Sequence, residues 1–264
     1  MTNVVKMPPG WGNDPLSKML EDAHTNGYHT FVHYPQVFML WTTVNDTYVM
    51  VQRELRDQCE DEWFGLLFLS RSHASWAAAV RLASAGQLPE SYMLLRGCLE
   101  NAMTGLFVSD KSQSTGTATR AETFLRRDED EETKRKMKKE FHLTLMLKHV
   151  AAKDQEVGKV AKQLYEWAIG NGAHPNPSGL LTNMAIEKEA GRTDFQTTYF
   201  NDDSVARGLC WKICANVGIC SLEIFRLLLP DKFAVIGATA RLLKLRSPAN
   251  YGGSFWKTAM TNRS

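Results

Sequence analysis

The chain has no dominant charge. Its 264 residues include 31 basic and 29 acidic side chains, for a formal net charge of +2. No strong field therefore marks nucleic acid or an acidic surface as its partner, and nucleic-acid binding would need a local patch. Long apolar runs are also missing. "WFGLLFL" (Trp63 to Leu69) falls far below the roughly 20 residues of a membrane helix. The opening "MTNVVKMPPGWGNDP" lacks the apolar core of a signal peptide. These absences predict a cytoplasmic protein with no membrane partner. Cysteine is scarce. The five cysteines include no CxxC pair, so neither a disulfide framework nor a zinc site is expected. Cys210, Cys214 and Cys220 sit in an apolar helical stretch, and Cys59 and Cys98 stand alone, which suits reduced core thiols. No fixed-period repeat is visible, and no metal or cofactor is expected.

Helical patterning is what the chain does have. Residues 1–13 read as an extended or mobile arm, followed by one helical domain over 14–246 and a polar tail over 247–264. Asp14 and Pro15 supply a cap and first-turn proline for a short helix ending near Gly27. Gln36 to about Ala85 is helical, with a break near "CEDE" (Cys59 to Glu62). Gly86 ends that run, and Pro89-Glu90 opens a helix to about Ser109. The composition of "SDKSQSTGTAT" (Ser109 to Thr119) predicts a loop. In "RRDEDEETKRKMKKEFH" (Arg126 to His142), acids precede bases at i,i+4, as in Asp130–Lys134, Glu131–Arg135 and Glu132–Lys136. Seven basic and six acidic residues over 126–140 nearly cancel, so a solvated helix is expected there rather than a nucleic-acid patch. A further helix covers about Asp154 to Ile169 and stops at Gly170-Asn171-Gly172. A Gly191 turn flanked by Ile186, Phe195, Thr197 and Tyr199 suits a small β-hairpin within 183–200. Asp203-Ser204 then caps a long apolar helix to Leu229, and a last helix runs from about Asp231 to Leu245. The expected fold is mainly α, a multi-helix bundle with a small β-hairpin insertion.

Three groups of residues invite a functional reading. His29 and His33 would share a face at i,i+4, a spacing that can hold a metal. Gly27 and Pro35 bracket them closely, however, and surface or capping roles fit better. Arg135 and His142 satisfy an R-x4-6-H spacing, but a chain with this many arginines and histidines contains such a pair by chance. The third group is Arg96, Glu100 and the loop "GAHPNPSGL" (Gly172 to Leu180). At 100° per residue, Arg96 lies near Tyr92, Leu99, Met103 and Phe107, with Glu100 beside it. Both charges therefore border an apolar stripe, which costs several kcal/mol unless they are paired. His73 shares a face with Leu66, Leu69, Ala77 and Val80. If the two helices pack antiparallel, His73 approaches Arg96 and Glu100, and the His174 loop closes over them. A histidine beside an arginine and a carboxylate can serve acid–base catalysis with anion stabilisation. The plainer alternative is an ion pair that fixes helix register.

The block Ser70 to Ser109, with its "LLR…LE" helix, and the later "IGNGAHPNPSGL" resemble an uncharacterised bacterial family of helical proteins. That family is distantly similar to HEPN-type bundles, some of which cleave RNA in phage defence or toxin–antitoxin pairs. The resemblance implies Arg96, Glu100 and His174 as site residues. "YEWAIGNGA" departs from the HEPN pattern, because no arginine precedes His174 by four to six residues. Two functions follow as expectations. One is a metal-independent ribonuclease, dimeric, with RNA as partner and His174, Arg96, Glu100 and His73 as catalytic residues. The other is a non-catalytic binding or self-associating protein. A homodimer fits either, with apolar surface expected on the hairpin and on "SLEIFRLLLP" (Ser221 to Pro230).

Overall fold

Capping side chains mark the starts of six helices among the described residues. The computed structural model describes residues 6–56, 63–110, 119–173, 177–189 and 192–247. In chain order these form α1 (Pro15–His33), α2 (Pro35–Leu55), α3 (Trp63–Ala85), α4 (Leu88–Ser109), α5 (Arg120–Leu125), α6 (Glu131–Glu140), α7 (Leu143–Lys153) and α8 (Gln155–Ala168). A π-helical turn (Ile169–Ala173) follows, then α9 (Pro177–Leu181), β1 (Met184–Glu189), β2 (Arg192–Thr197), α10 (Ser204–Leu228), α11 (Pro230–Val235) and α12 (Ala238–Leu245). Asp14, Asp154 and Asp203 each accept two backbone N–H bonds at the head of α1, α8 and α10, satisfying donors the helix cannot. Thr119 and Glu122 close a reciprocal capping box on α5. The fold is mainly α, with β1 and β2 as an antiparallel hairpin pairing Met184 with Thr197 through Glu189 with Arg192.

The bundle is built around α10, in which every residue from Ile213 to Phe225 is buried. Its apolar character on all sides demands neighbours all round, and α2, α3, α4, α8 and α12 supply them. Buried tryptophans spend their one donor on the backbone of a neighbouring helix. Trp76 Nε1 donates to the Cys214 carbonyl at 2.8 Å and Trp211 Nε1 to that of Ala83 at 3.1 Å. Among the described residues, α10 alone is long and apolar enough to cross a membrane, and 83% of its most apolar window is buried inside the bundle. The apolar surface expected on "SLEIFRLLLP" is therefore interior. Cys98, Cys210, Cys214 and Cys220 are buried and unbridged, as core thiols. Cys59 and the "CEDE" break lie outside the described residues, as do Gly191 and the tail from 248.

Several boundaries differ from the sequence reading. Helix α1 passes through Gly27 and ends at His33. A Cβ at Gly27 would sit 3.2 Å from Ser84 Oγ, so this glycine serves close helix–helix approach and not termination. The helix expected from Arg126 starts at Glu131, because Asp130 caps it by accepting from Thr133 N. With Asp130 so engaged, Lys134 pairs with Glu131 at i,i+3 and 2.7 Å, one position away from the expected partner. Residues 143–153 form a helix of their own, antiparallel to α8 across Asp154. In the amino-terminal arm, residues 6–13 fold as turns against α1, with Gly12 N bonded to Ser17 Oγ and Trp11 Nε1 to Glu21.

A charged network locks α8, α10 and α12. Glu223, 1% exposed, pairs with Arg226 Nε through one carboxylate oxygen and with Arg246 Nη1 at 3.2 Å through the other. Arg246 also reaches Glu156 at 2.8 Å, and Arg226 reaches Asp154 at 3.6 Å. At one end of the bundle, Gly86 takes φ +92, and a Cβ there would lie 2.8 Å from the Asn201 carbonyl oxygen. Only glycine suits both the left-handed turn and that approach. The Gly86 carbonyl accepts from Asn201 N at 2.9 Å, tying the exit of the hairpin to the α3–α4 turn.

Candidate functional site

Arg96 and Glu100 stand one turn apart on α4, and the structure brings them together. Arg96 Nε donates to Glu100 Oε1 at 2.9 Å, and the Tyr165 hydroxyl of α8 donates to the same oxygen at 2.7 Å. The Arg96 guanidinium lies 5.5 Å from the Tyr165 ring centroid, within cation–π reach. Burial pushes the Tyr165 hydroxyl up and Glu100 adds to it, giving about 12. Burial pulls the Arg96 guanidinium down, but Glu100 and Tyr165 outweigh it and hold it raised. The pair is not sealed, since the two side chains are 27% and 39% exposed.

Helix α8 runs antiparallel to α4, because Tyr165 meets Arg96 and Glu100, Trp167 reaches Tyr92, and Gly172 abuts Pro89. Gly172 adopts φ +145, and a Cβ on it would lie 2.7 Å from Pro89 Cα, so no side chain fits. The segment leading to His174 is thereby seated on the first turn of α4, about 10 Å along the axis from Arg96. His174 itself lies outside the described residues.

His73 does not join this group. Its Nε2 lies 2.9 Å from Asn45 Oδ1 on α2, and its ring stacks on Tyr48 at 4.6 Å. The Tyr48 hydroxyl approaches Cys98 Sγ at 3.9 Å. Cys98 is two residues from both Arg96 and Glu100, about 200° round the helix, so His73 faces the opposite side of α4. Burial lowers its pKa. The expectation that His73 approaches the ion pair is therefore corrected: α3 is lined by apolar neighbours on two sides, and His73 turns to α2. Elsewhere, the exposed His29 and His33 rings lie 6.0 Å apart. Among the described residues, no third histidine, cysteine or carboxylate joins them as a metal-binding group. His142 caps α7 by accepting from Thr144 N, and Arg135 is exposed on α6.

Two features were not foreseen from the sequence. The first is a groove of about 820 Å³ between α7 and α8. Leu143, Leu147, Ala151 and Ile169 contribute its apolar lining, Lys148, Lys159 and Lys162 its cations and Glu156 and Glu166 its carboxylates, with Glu166 3.7 Å from Lys162, and Tyr165 also lines it. The groove thus abuts the ion pair through one shared side chain. The near approach of Gly158 to Ala151, where a Cβ would come within 2.5 Å of the Ala151 Cα, fixes how α7 and α8 cross. The second is a clamp at the other end of α4, where Asp110 Oδ2 lies 3.1 Å from both His149 Nε2 and Lys153 Nζ. Burial lowers the His149 pKa against the pull of Asp110, with Arg120 and Lys153 lowering it further. His149 falls between Met146 and Val150 in sequence, so helical periodicity could have placed it inward. Nothing local identifies Asp110 as its partner.

No family model, curated protein or solved structure matches the chain.

Proposed function

We propose that the protein is a HEPN-like, metal-independent endoribonuclease of the cytoplasm, whose site is the Arg96–Glu100–Tyr165 face completed by the His174 loop. The observation that carries this reading is access: the ion pair is partly exposed beside a groove lined by three lysines and two glutamates, a small excess of positive charge for a phosphodiester chain. In this scheme the RNA 2′-hydroxyl attacks the adjacent phosphorus and the 5′-oxygen leaves, giving a 2′,3′-cyclic phosphate. His174 takes the proton from the 2′-hydroxyl or delivers one to the leaving oxygen. Arg96 stabilises charge on the pentacoordinate phosphorus, and Glu100 with Tyr165 holds the guanidinium in place. Phage defence or a toxin–antitoxin pair is the setting that the family resemblance suggests.

A second reading is a non-catalytic helical protein that binds a partner or itself. It is favoured by how completely Arg96 Nε, Glu100 Oε1 and the Tyr165 hydroxyl engage one another, as in a contact that fixes packing. RNA degradation by wild type, His174→Ala and Arg96→Gln in EDTA separates the two, with folding followed by circular dichroism. Cleavage by wild type that is lost in both folded variants supports the nuclease. Intact RNA after incubation with wild type, with or without EDTA, sinks it and leaves the binding protein.

A further inference from the structure

An apolar floor lies beneath the charged rim of the α7–α8 groove, and the nuclease reading leaves it unused. The two helices run antiparallel and touch where Gly158 meets Ala151. Counted from that contact, Lys148 lies about 60° and Lys162 about 40° round, both toward the outer side of the pair. Leu147 and Tyr165 lie about 40° and 20° toward the inner side, and Tyr165 is 4% exposed. Lysines from both helices therefore converge on one rim, with Leu143, Leu147, Tyr165 and Ile169 lining the space below and beyond them. Charge and floor are also separated along the groove. Lys148, Lys159 and Lys162 stand within about 6 Å of the contact, Leu143 about 12 Å from it and Ile169 about 16 Å.

We infer that the groove binds a fatty acid, its carboxylate on the lysine rim and its chain along the apolar floor. Charge selects the head group. Among the described residues, only Lys162 of the three lysines has a carboxylate partner, Glu166 at 3.7 Å. Glu156 lies on the far side of the Ala151–Gly158 contact and turns one oxygen to Arg246 at 2.8 Å. Three lysines against two glutamates leave an excess of one positive charge in the lining, which one carboxylate matches. The floor selects the chain. Its side chains are mainly aliphatic, and the Tyr165 hydroxyl is already bonded to Glu100, so a polar group placed there would find no partner. A volume of about 820 Å³ falls in the range of small-molecule sites. A nucleic-acid strand would engage the rim and leave the floor wet, whereas an alkyl chain takes that surface out of water. The inference holds whether or not the protein cleaves RNA.

Isothermal titration calorimetry of the full-length chain with decanoate, kept below its micelle concentration, tests it. Acetate, which offers the head group alone, is one control, and Lys18→Met on α1 is the other. Lys148→Met removes a rim cation, and Thr144→Phe fills the wide end of the groove. Both positions are exposed, so both variants keep the fold, which circular dichroism checks. The expected result is a decanoate dissociation constant below about 1 mM, with no binding of acetate. Lys148→Met should raise that constant roughly fivefold or more and Thr144→Phe at least ~10-fold, with Lys18→Met unchanged. A wild type that binds no decanoate, as when another segment or a protein partner already fills the groove, overturns the inference. So does acetate binding as tight as decanoate binding, or decanoate binding that either groove variant leaves unchanged.

Discussion

Two charged groups in this molecule are chemically alike and physically opposite. Around Glu223, carboxylates and guanidiniums pair inside the bundle, and a 1% exposed acid holds two arginines from α10 and α12. Around Arg96, one carboxylate, one guanidinium and a tyrosine pair at the edge of a groove. In the first, Glu223 itself is sealed from water although the rest of the network reaches 31% exposure, and removing either of its arginines strands a buried charge. In the second, solvent replaces whatever is lost, so the pair contributes little to stability and its charges stay within reach of a ligand. Geometry alone would call both salt bridges. Exposure separates the rivet from the candidate site.

The sharpest way to break that contrast is Glu223→Gln, which leaves Arg246 and Arg226 facing a neutral side chain. It should cost about 3–5 kcal/mol in urea unfolding, and a loss below about 1 kcal/mol would remove the distinction. Arg96→Gln should do the reverse. Stability changes by less than about 1 kcal/mol, while RNA cleavage, if the proposed site is right, falls roughly 100-fold or more. A large fall in stability with unaltered activity would move Arg96 into the structural class. A smaller effect concerns Tyr165, pushed up to about 12 by burial and Glu100. Replacing Glu100 by Gln removes the negative neighbour, so tyrosinate absorbance should show one hydroxyl ionising at lower pH than in wild type. An unchanged titration curve would mean that Glu100 does not govern that hydroxyl.

The mildest prediction concerns pH. His73 and His149 both have pKa values lowered by burial, so the unfolded chain, near 6.5 at each, binds protons more readily than the folded one. Their contribution is present above pH 6.5 and lost as pH falls from there toward the lowered folded values. Stability measured across that window should decline less steeply in His73→Gln and His149→Gln than in wild type, and an unchanged slope would place the titration elsewhere.

What the sequence made legible was local. Asp14, Asp154 and Asp203 announce helix starts through their own side chains, and Gly86 announces a turn. The Arg96–Glu100 pair needed only a spacing of four. Longer reach was not legible. Tyr165 bonds to Glu100 from 65 residues away, and no pattern within α8 names that partner. Periodicity showed that His73 faces inward, but α3 has α2 on one side and α4 on another, and the choice belongs to packing. Gly27 looked like a helix end because its true role, clearance for Ser84, depends on a helix more than fifty residues downstream. The α7–α8 groove is a property of two helices together.

The Gly86 turn has a consequence for how the chain assembles. At that end of the bundle, Thr30 bonds to the Ser84 carbonyl across 54 residues and Arg207 bonds to Thr30 across 177. Gly86 meets Asn201 there, and Gly172 rests on Pro89. The first can close once Ser84 has been made, but the others wait for Gly172, Asn201 and Arg207, and each closes a long loop at an entropic cost. This end of the bundle therefore waits on Asn201 and Arg207, which emerge with α10, so one late segment of the chain both fills the core and finishes the end on which Gly172 is seated.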